Sequence, residues 1–474
     1  MGSLKRGGVA VLALAVTACA RPDLAPPEAG LPLPADWAET DPARASVDLG
    51  QYWTLLGDPL LTELVEAALA NNLDLAQSAA RLEQARAQLA GARAGFLPQI
   101  SASGQGSQDI GANASGDPFV SLGADASWEA DLFGRIGGNV AASQADLAAA
   151  GYSLADLQRL IAGQVALATI SARATATQLA IARDTLGYQD ENLQIARWRV
   201  QAGLVSSLDA EQARGQRAQT AATIPQLERN LAATANSIST LIGEPPGRVL
   251  RRLEAAAAIP QPPALAGFEA PAEVLRRRPD VRAAEASLIA SSARVDVARA
   301  QLMPLVRLGG SIGTSSLGFD DLFNVITGNL LGSVSQLIFD GGRTRAQIDS
   351  AEAAAQGALA GWRLSILGAL EDVETAAVDL RKADEGVVIF VEALEAAENS
   401  ALLARSLYQA GLTDFRNLLT SENQLLSARN ALASAQADRA SAFVRLTQAL
   451  GGGWAPADYP LPISPLPIRD GTPR

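Results

Sequence analysis

The chain has 474 residues, a formal charge of -12, one cysteine, 4% aromatic residues and no histidine. Without histidine there is no Ser-His-Asp or Cys-His arrangement and no His-ligated zinc centre, which excludes most hydrolase and metalloenzyme chemistry. The acidic balance argues against nucleic-acid binding, and a 48% hydrophobic fraction carried largely by alanine points to long, close-packed helices rather than a compact enzyme.

Residues 1–18 read as an export signal, with Lys5 and Arg6 ahead of an apolar run at 9–16 that is too short to span a bilayer. Cys19 follows small residues and has no disulfide partner in the chain. The segment resembles a bacterial lipobox, which implies diacylglycerol and N-palmitate on Cys19; the alternative is a signal that ends beside a structural cysteine. Ala20, where an aspartate would tend to retain a lipoprotein at the inner membrane, implies by the same resemblance the outer membrane. Cleavage removes Lys5 and Arg6, leaving 36 basic residues against 50 acidic ones. Residues 19–50 hold a stretch rich in proline, alanine and acidic residues and read as a tether.

From residue 51 the chain is one unit written twice. Asp74 falls on Asp280, Leu82 on Leu288, Ala92-Arg93-Ala94 on Ala298-Arg299-Ala300 and Pro98 on Pro304, while Phe133 falls on Phe339 and Gln201-Ala202-Gly203-Leu204 on Gln409-Ala410-Gly411-Leu412. The units span 51–247 and 271–454, with a connection at 248–270 and a proline-rich tail at 455–474.

In the first unit, helical spacing runs over 58–95, opened by Asp58-Pro59 as N-cap and first helical residue. Pro98 stops it. Over about 97–132 the period becomes two, with Ile100, Ala102 and Gly104 opposite Ser101, Ser103 and Gln105, then Val120, Leu122 and Ala124 opposite Ser121, Gly123 and Asp125. A long helix from about 141 to 201, roughly 90 Å at 1.5 Å per residue, ends at Gly203. A return helix follows at 207–242, with Pro225 expected to bend it. The second unit repeats the hairpin at about 303–340 and the helix pair, whose return helix at 414–450 carries leucines seven apart, as in coiled-coil packing.

Four strands with one polar face cannot close a barrel, and an open sheet edge cannot face lipid. Three chains would give twelve strands, apolar outside and polar inside, with Trp128 near a strand end at the headgroup level. The expected fold is therefore mainly α with a small β part: two internal repeats whose long helices form an α-barrel and whose hairpins enter a trimeric 12-stranded transmembrane β-barrel. The alternative is a soluble β-sandwich carrying long helices.

This order of elements resembles the TolC-like outer-membrane efflux family. The resemblance is carried by Tyr52-Trp53, Gly57-Asp58-Pro59, Leu97-Pro98, Met303-Pro304, Asp131-Leu132-Phe133-Gly134-Arg135, Ile338-Phe339-Asp340-Gly341-Gly342-Arg343, Tyr408-Gln409-Ala410-Gly411-Leu412 and Leu450-Gly451-Gly452-Gly453-Trp454. With the lipobox, the chain is similar to NodT-type outer-membrane lipoproteins of resistance-nodulation-division efflux systems. The resemblance implies a passive homotrimeric channel-tunnel for drugs or other small molecules, lipid-anchored in the outer membrane and extending into the periplasm. It implies no catalytic residue, no metal and no cofactor beyond the lipid, and no nucleic acid. Its partners would be the lipid bilayer, a periplasmic adaptor and an inner-membrane transporter of the resistance-nodulation-division type.

Gly203, Leu204, Val205 and Ser206, and Gly411, Leu412, Thr413 and Asp414, match the family's helical tips, where adaptors dock. The alternative is local: glycine ends each helix and leucine plugs the turn. Asp209 matches an aspartate that takes part in polar contacts holding the tips closed. After the second tip, Thr420 stands where relatives commonly place an aspartate, between Arg416 and Glu422. If Arg416 or Glu422 faces inward, three like charges meet near the threefold axis; otherwise each is a charge on a solvated outer face. A duct for type I protein secretion or nodulation-type signal export, and a structural envelope lipoprotein, are the competing functions.

Overall fold

The structure is a computed structural model, and the described residues are 30–32, 34, 37, 49–111, 118–253, 258–263 and 271–454. The signal segment, Cys19, most of the tether and the tail at 455–474 lie outside them.

A 3-10 turn, Tyr52–Leu56, leads into α1 (Pro59–Asn71) and α2 (Leu73–Ala94), then β1 (Gln99–Ser107), β2 (Phe119–Ala130), α3 (Arg135–Gln201) and α4 (Ser207–Leu241). After α5 (Arg248–Leu253) come α6 (Pro271–Arg277), α7 (Pro279–Ala300), β3 (Leu305–Leu317), β4 (Ile326–Ser335), α8 (Arg343–Gln409) and α9 (Phe415–Ala449). The duplication extends to whole elements: α2 and α7 have 22 residues each, α3 and α8 have 67, and α4 and α9 have 35. A 67-residue helix is about 100 Å long. It starts where an aspartate collects its free N–H groups: Asp131 accepts from Ile136 and Gly137, and Asp340 from Gly342 and Thr344.

One expectation is corrected. Residues 58–95 form two helices, broken at Asn72, whose extended backbone (φ -64°, ψ 131°) leaves the helical region. The Asn72 carbonyl oxygen of the side chain caps α2 by accepting from Asp74 and Leu75, while its Nδ2 donates to the Leu241 carbonyl, the last residue of α4, at 2.8 Å. In the second unit Arg278 makes the corresponding link to the return helix, without capping the helix that follows it. It sits between α6 and α7 and donates to the carbonyl of Ala449, the last residue of α9, at 3.1 Å. Arg278 is buried, and its charge is met by Asp280 at 2.7 Å and Asp372 at 2.8 Å. Burial would raise the Asp280 carboxyl, but the hydrogen bonds and charge of Arg278 outweigh it and hold that group below the usual carboxylate value. α4 runs on through Pro225.

The main core lies where α1, α3, α4 and α9 meet the 3-10 turn. Asp58 caps α1 and takes Arg173 of α3 at 3.0 Å, an ion pair buried on both sides. Close approach at this level depends on the closing glycines. A Cβ on Gly452 would lie 2.8 Å from the carbonyl oxygens of Leu49 and Thr447, and Gly453 donates to Leu49 at 2.9 Å.

The sheet is antiparallel in the order β1-β2-β3-β4, so its centre joins the two units. The register puts Ala124 beside Ile312 and Gly310 beside Leu330 on one face. On the other, Asp125 pairs with Ser311 and Glu129 with Arg307. The apolar face is bare in one chain, with Ile100 78% and Leu330 90% exposed. Trp128 is tied down at the helix-to-strand junction, its Nε1 donating to the Phe96 carbonyl at 2.8 Å.

Gly452→Ala should lower stability by about 1–3 kcal/mol, because the new methyl meets backbone oxygens that cannot turn aside. Gly357→Ala, on an open position of α8, should instead raise it by up to about 1 kcal/mol. The two midpoints of thermal unfolding in detergent check this pair.

Candidate functional site

The candidate site is the end of the two helix pairs. Both turns are built alike. Leu204 N–H donates to Arg199 and Gly203 N–H to Val200, and in the second unit Leu412 donates to Leu407 and Gly411 to Tyr408. This six-to-one and five-to-two pattern requires a left-handed residue, and Gly203 (φ +70°) and Gly411 (φ +73°) supply it. The next helix is then capped in each case. Ser206 Oγ accepts from Leu208 N–H, and Asp414 accepts from Asn417 N–H while Thr413 Oγ1 accepts from the Asn417 amide.

Local structure thus accounts for the glycines and the caps but not for the leucines. Leu204 is 72% exposed and Leu412 76% exposed, so neither plugs its turn. Val205 is half-buried.

Behind the turns, Leu193 and Ala196 of α3, Ala213 of α4, Tyr408 of α8 and Phe415 and Leu418 of α9 form a small core. It joins one helix pair to the other. Arg199 of α3 donates to the Tyr408 carbonyl at 3.0 Å and lies 4.4 Å over its ring, and Phe415 packs on the same ring at 5.4 Å. Burial raises the Tyr408 phenol above its ordinary value; Arg199 opposes this and the charge of Asp209 adds to it. Asp209 is half-exposed in the first turn of α4 and precedes Ala210, which packs against this core. Tyr408 and Arg199 were not singled out as site residues by sequence, although Tyr408 stands in the Tyr-Gln-Ala-Gly-Leu motif.

Glu422 does not belong to an inward-facing ring or to a solvated outer face. It is buried, both its carboxylate oxygens accept from Asn192 Nδ2 at 2.8 Å, and it takes Arg405 at 3.3 Å, so α3, α8 and α9 share one charge. Arg405 in turn lies 5.0 Å over the Tyr188 ring. The expected choice between two solvent-facing positions fails because the register of α9 against α3 turns Glu422 into the contact. Arg416 and Thr420 are exposed one turn apart, Thr420 Oγ1 donating to the Arg416 carbonyl. Among the described residues, no group of histidine, cysteine and acidic side chains is placed to hold a metal ion.

Glu422→Ala should loosen the two helix pairs more than Arg416→Ala. It leaves Asn192 and Arg405 without their acceptor, a loss of about 1–3 kcal/mol, whereas Arg416 stands in solvent. Hydrogen exchange at 188–200 should rise in the first variant and stay unchanged in the second.

Comparison with known proteins gives a consistent picture. The family profile described as outer membrane efflux protein matches residues 64–244 and 270–452, the two units. Over 450 residues the chain is 31% identical to a nodulation protein T of Rhizobium leguminosarum bv. trifolii, covering 92% of this chain and 94% of that one. It is 31% identical to the pyoverdine export outer membrane protein OpmQ of Pseudomonas putida, covering 95% and 97%. The solved structure of the outer-membrane channel OprN superposes with a TM-score of 0.82 at 32% identity, over 91% of this chain and 99% of that one.

Proposed function

Because this chain belongs to the outer membrane efflux protein family, we propose that three copies close into one conduit, anchored at Cys19 and docked at its helical tips by a periplasmic adaptor. The chain is an outer-membrane efflux channel protein. The observation that carries the closure is the sheet, since β1 and β4 each leave one edge without a partner strand and the apolar face is bare. In lipid those edges must be paired, and identical neighbours supply the pairing. The helices agree: α8 leaves Leu364, Leu367, Val388 and Leu403 exposed, a face fitted to the next protomer.

The exposed Leu204 and Leu412 support adaptor docking, because local structure gives them no task. Energy would come from an inner-membrane transporter of the resistance-nodulation-division type. That transporter would select the cargo, which fits a family holding both a pyoverdine exporter and nodulation proteins. In this reading Asp209, next to the small core behind the turns, holds the tips together when no partner is bound.

Asp209→Lys should leave assembly intact and raise resting conductance in planar bilayers severalfold; equal conductance in variant and parent removes Asp209 from the gate. Cys19→Ser should incorporate no labelled palmitate in cells, and labelling at the parental level contradicts the anchor.

A further inference from the structure

Opposite faces of α3 differ in chemistry below the core. On one side lies a cavity lined by Arg183, Asp184 and Glu228, overlain by Leu250 of α5 and Ala258 of the connection. On the other is a recess of about 680 Å³ bounded by α3, α4 and α9, and none of its 13 lining residues ionises. Seven of them are amides, among them Gln178, Gln219, Gln226, Asn230 and Asn430. At roughly 100° per residue, Gln178 and Ala182 stand about 160–200° around α3 from Ala180, and Gln219 and Asn230 stand about 180–200° around α4 from Glu228. The two cavities therefore look in opposite directions.

In a conduit, α5 and the connection can lie only on the outer wall, because inside they would occupy the bore. The amide recess then opens inward. Its ends are closed by neutral pairs: Gln216 donates to Asn423 at 2.6 Å near the tip, and Gln178 donates to Ser434 at 3.2 Å on the other side. Between them the buried Thr220 keeps the lining uncharged. The recess has a volume in the range of small-molecule sites. The same stripe of α9 continues toward the tip through Thr420 and Arg416, so an uncharged stretch lies directly above the first charged position.

We propose that this recess is a lumenal transit site, one per protomer, for uncharged hydrogen-bonding solutes such as polyols and amides. The proposal rests on the conduit reading above. Amides offer both donor and acceptor at every step, so a neutral solute exchanges partners along the wall without the desolvation that fixed charges would impose. An ion finds no counter-charge in the recess and gains nothing by pausing there.

The test uses full-length protein in planar bilayers with maltohexaose added on the side of the helical tips. The parent should show resolved interruptions of the current. A variant combining Gln219→Leu, Gln226→Leu and Asn230→Leu, all at exposed positions, should shorten the interruptions at least about fivefold, the factor that one lost hydrogen bond gives. In a second variant, Gln226→Cys, whose thiol is the one free thiol because the Cys19 sulfur carries the lipid in the conduit reading, a bulky methanethiosulfonate reagent should lower the current stepwise. Pores whose interruptions are unchanged in the leucine variant, or whose current ignores the reagent, overturn the recess and leave the conduit standing. Absence of pores in the parent overturns the conduit and the recess with it.

Discussion

An unpaired sheet edge in hydrocarbon is the constraint from which the rest of this molecule follows. Each backbone N–H and C=O left open along β1 and β4 would cost several kcal/mol in lipid, and four strands are too few to bend round and meet. In the proposed trimer, closure comes from other copies. The helices inherit that symmetry, because each hairpin passes directly into a 67-residue helix whose first turn is fixed by Asp131 or Asp340. In that trimer a ring of hairpins becomes a ring of long helices, and alanine lets those helices approach closely.

The two units share their mechanics, but at one equivalent point they reach it with different residues. Asn72 and Arg278 occupy corresponding breaks and hold the last carbonyls of the corresponding return helices. In the first unit a neutral amide does this; in the second a buried guanidinium does it, with Asp280 and Asp372 supplying its counter-charge. A duplicated backbone has thus been joined at an equivalent point by different chemistry.

Much of this was legible in the sequence, and what was legible was local. The ends of the long helices at Gln201 and Gln409 follow from glycine one residue beyond the cap, and the hairpin faces follow from strict alternation between Ile100 and Gln105. The break at Asn72 was not legible, because it carries neither proline nor glycine and depends on the Leu241 carbonyl, 169 residues away. Glu422 was misplaced for the same reason, since its surroundings are set by Asn192 and Arg405 on two other helices. At the tips, the motif located the turns, but only the structure separates glycines that close helices from leucines that close nothing.

The central claim is that one chain is an incomplete object and three complete it. The most direct measurement is the mass of the detergent-solubilised protein by native mass spectrometry. A single species at three times the mature chain mass, persisting on dilution, is the result this account predicts. A stable monomer or dimer that still conducts would contradict it.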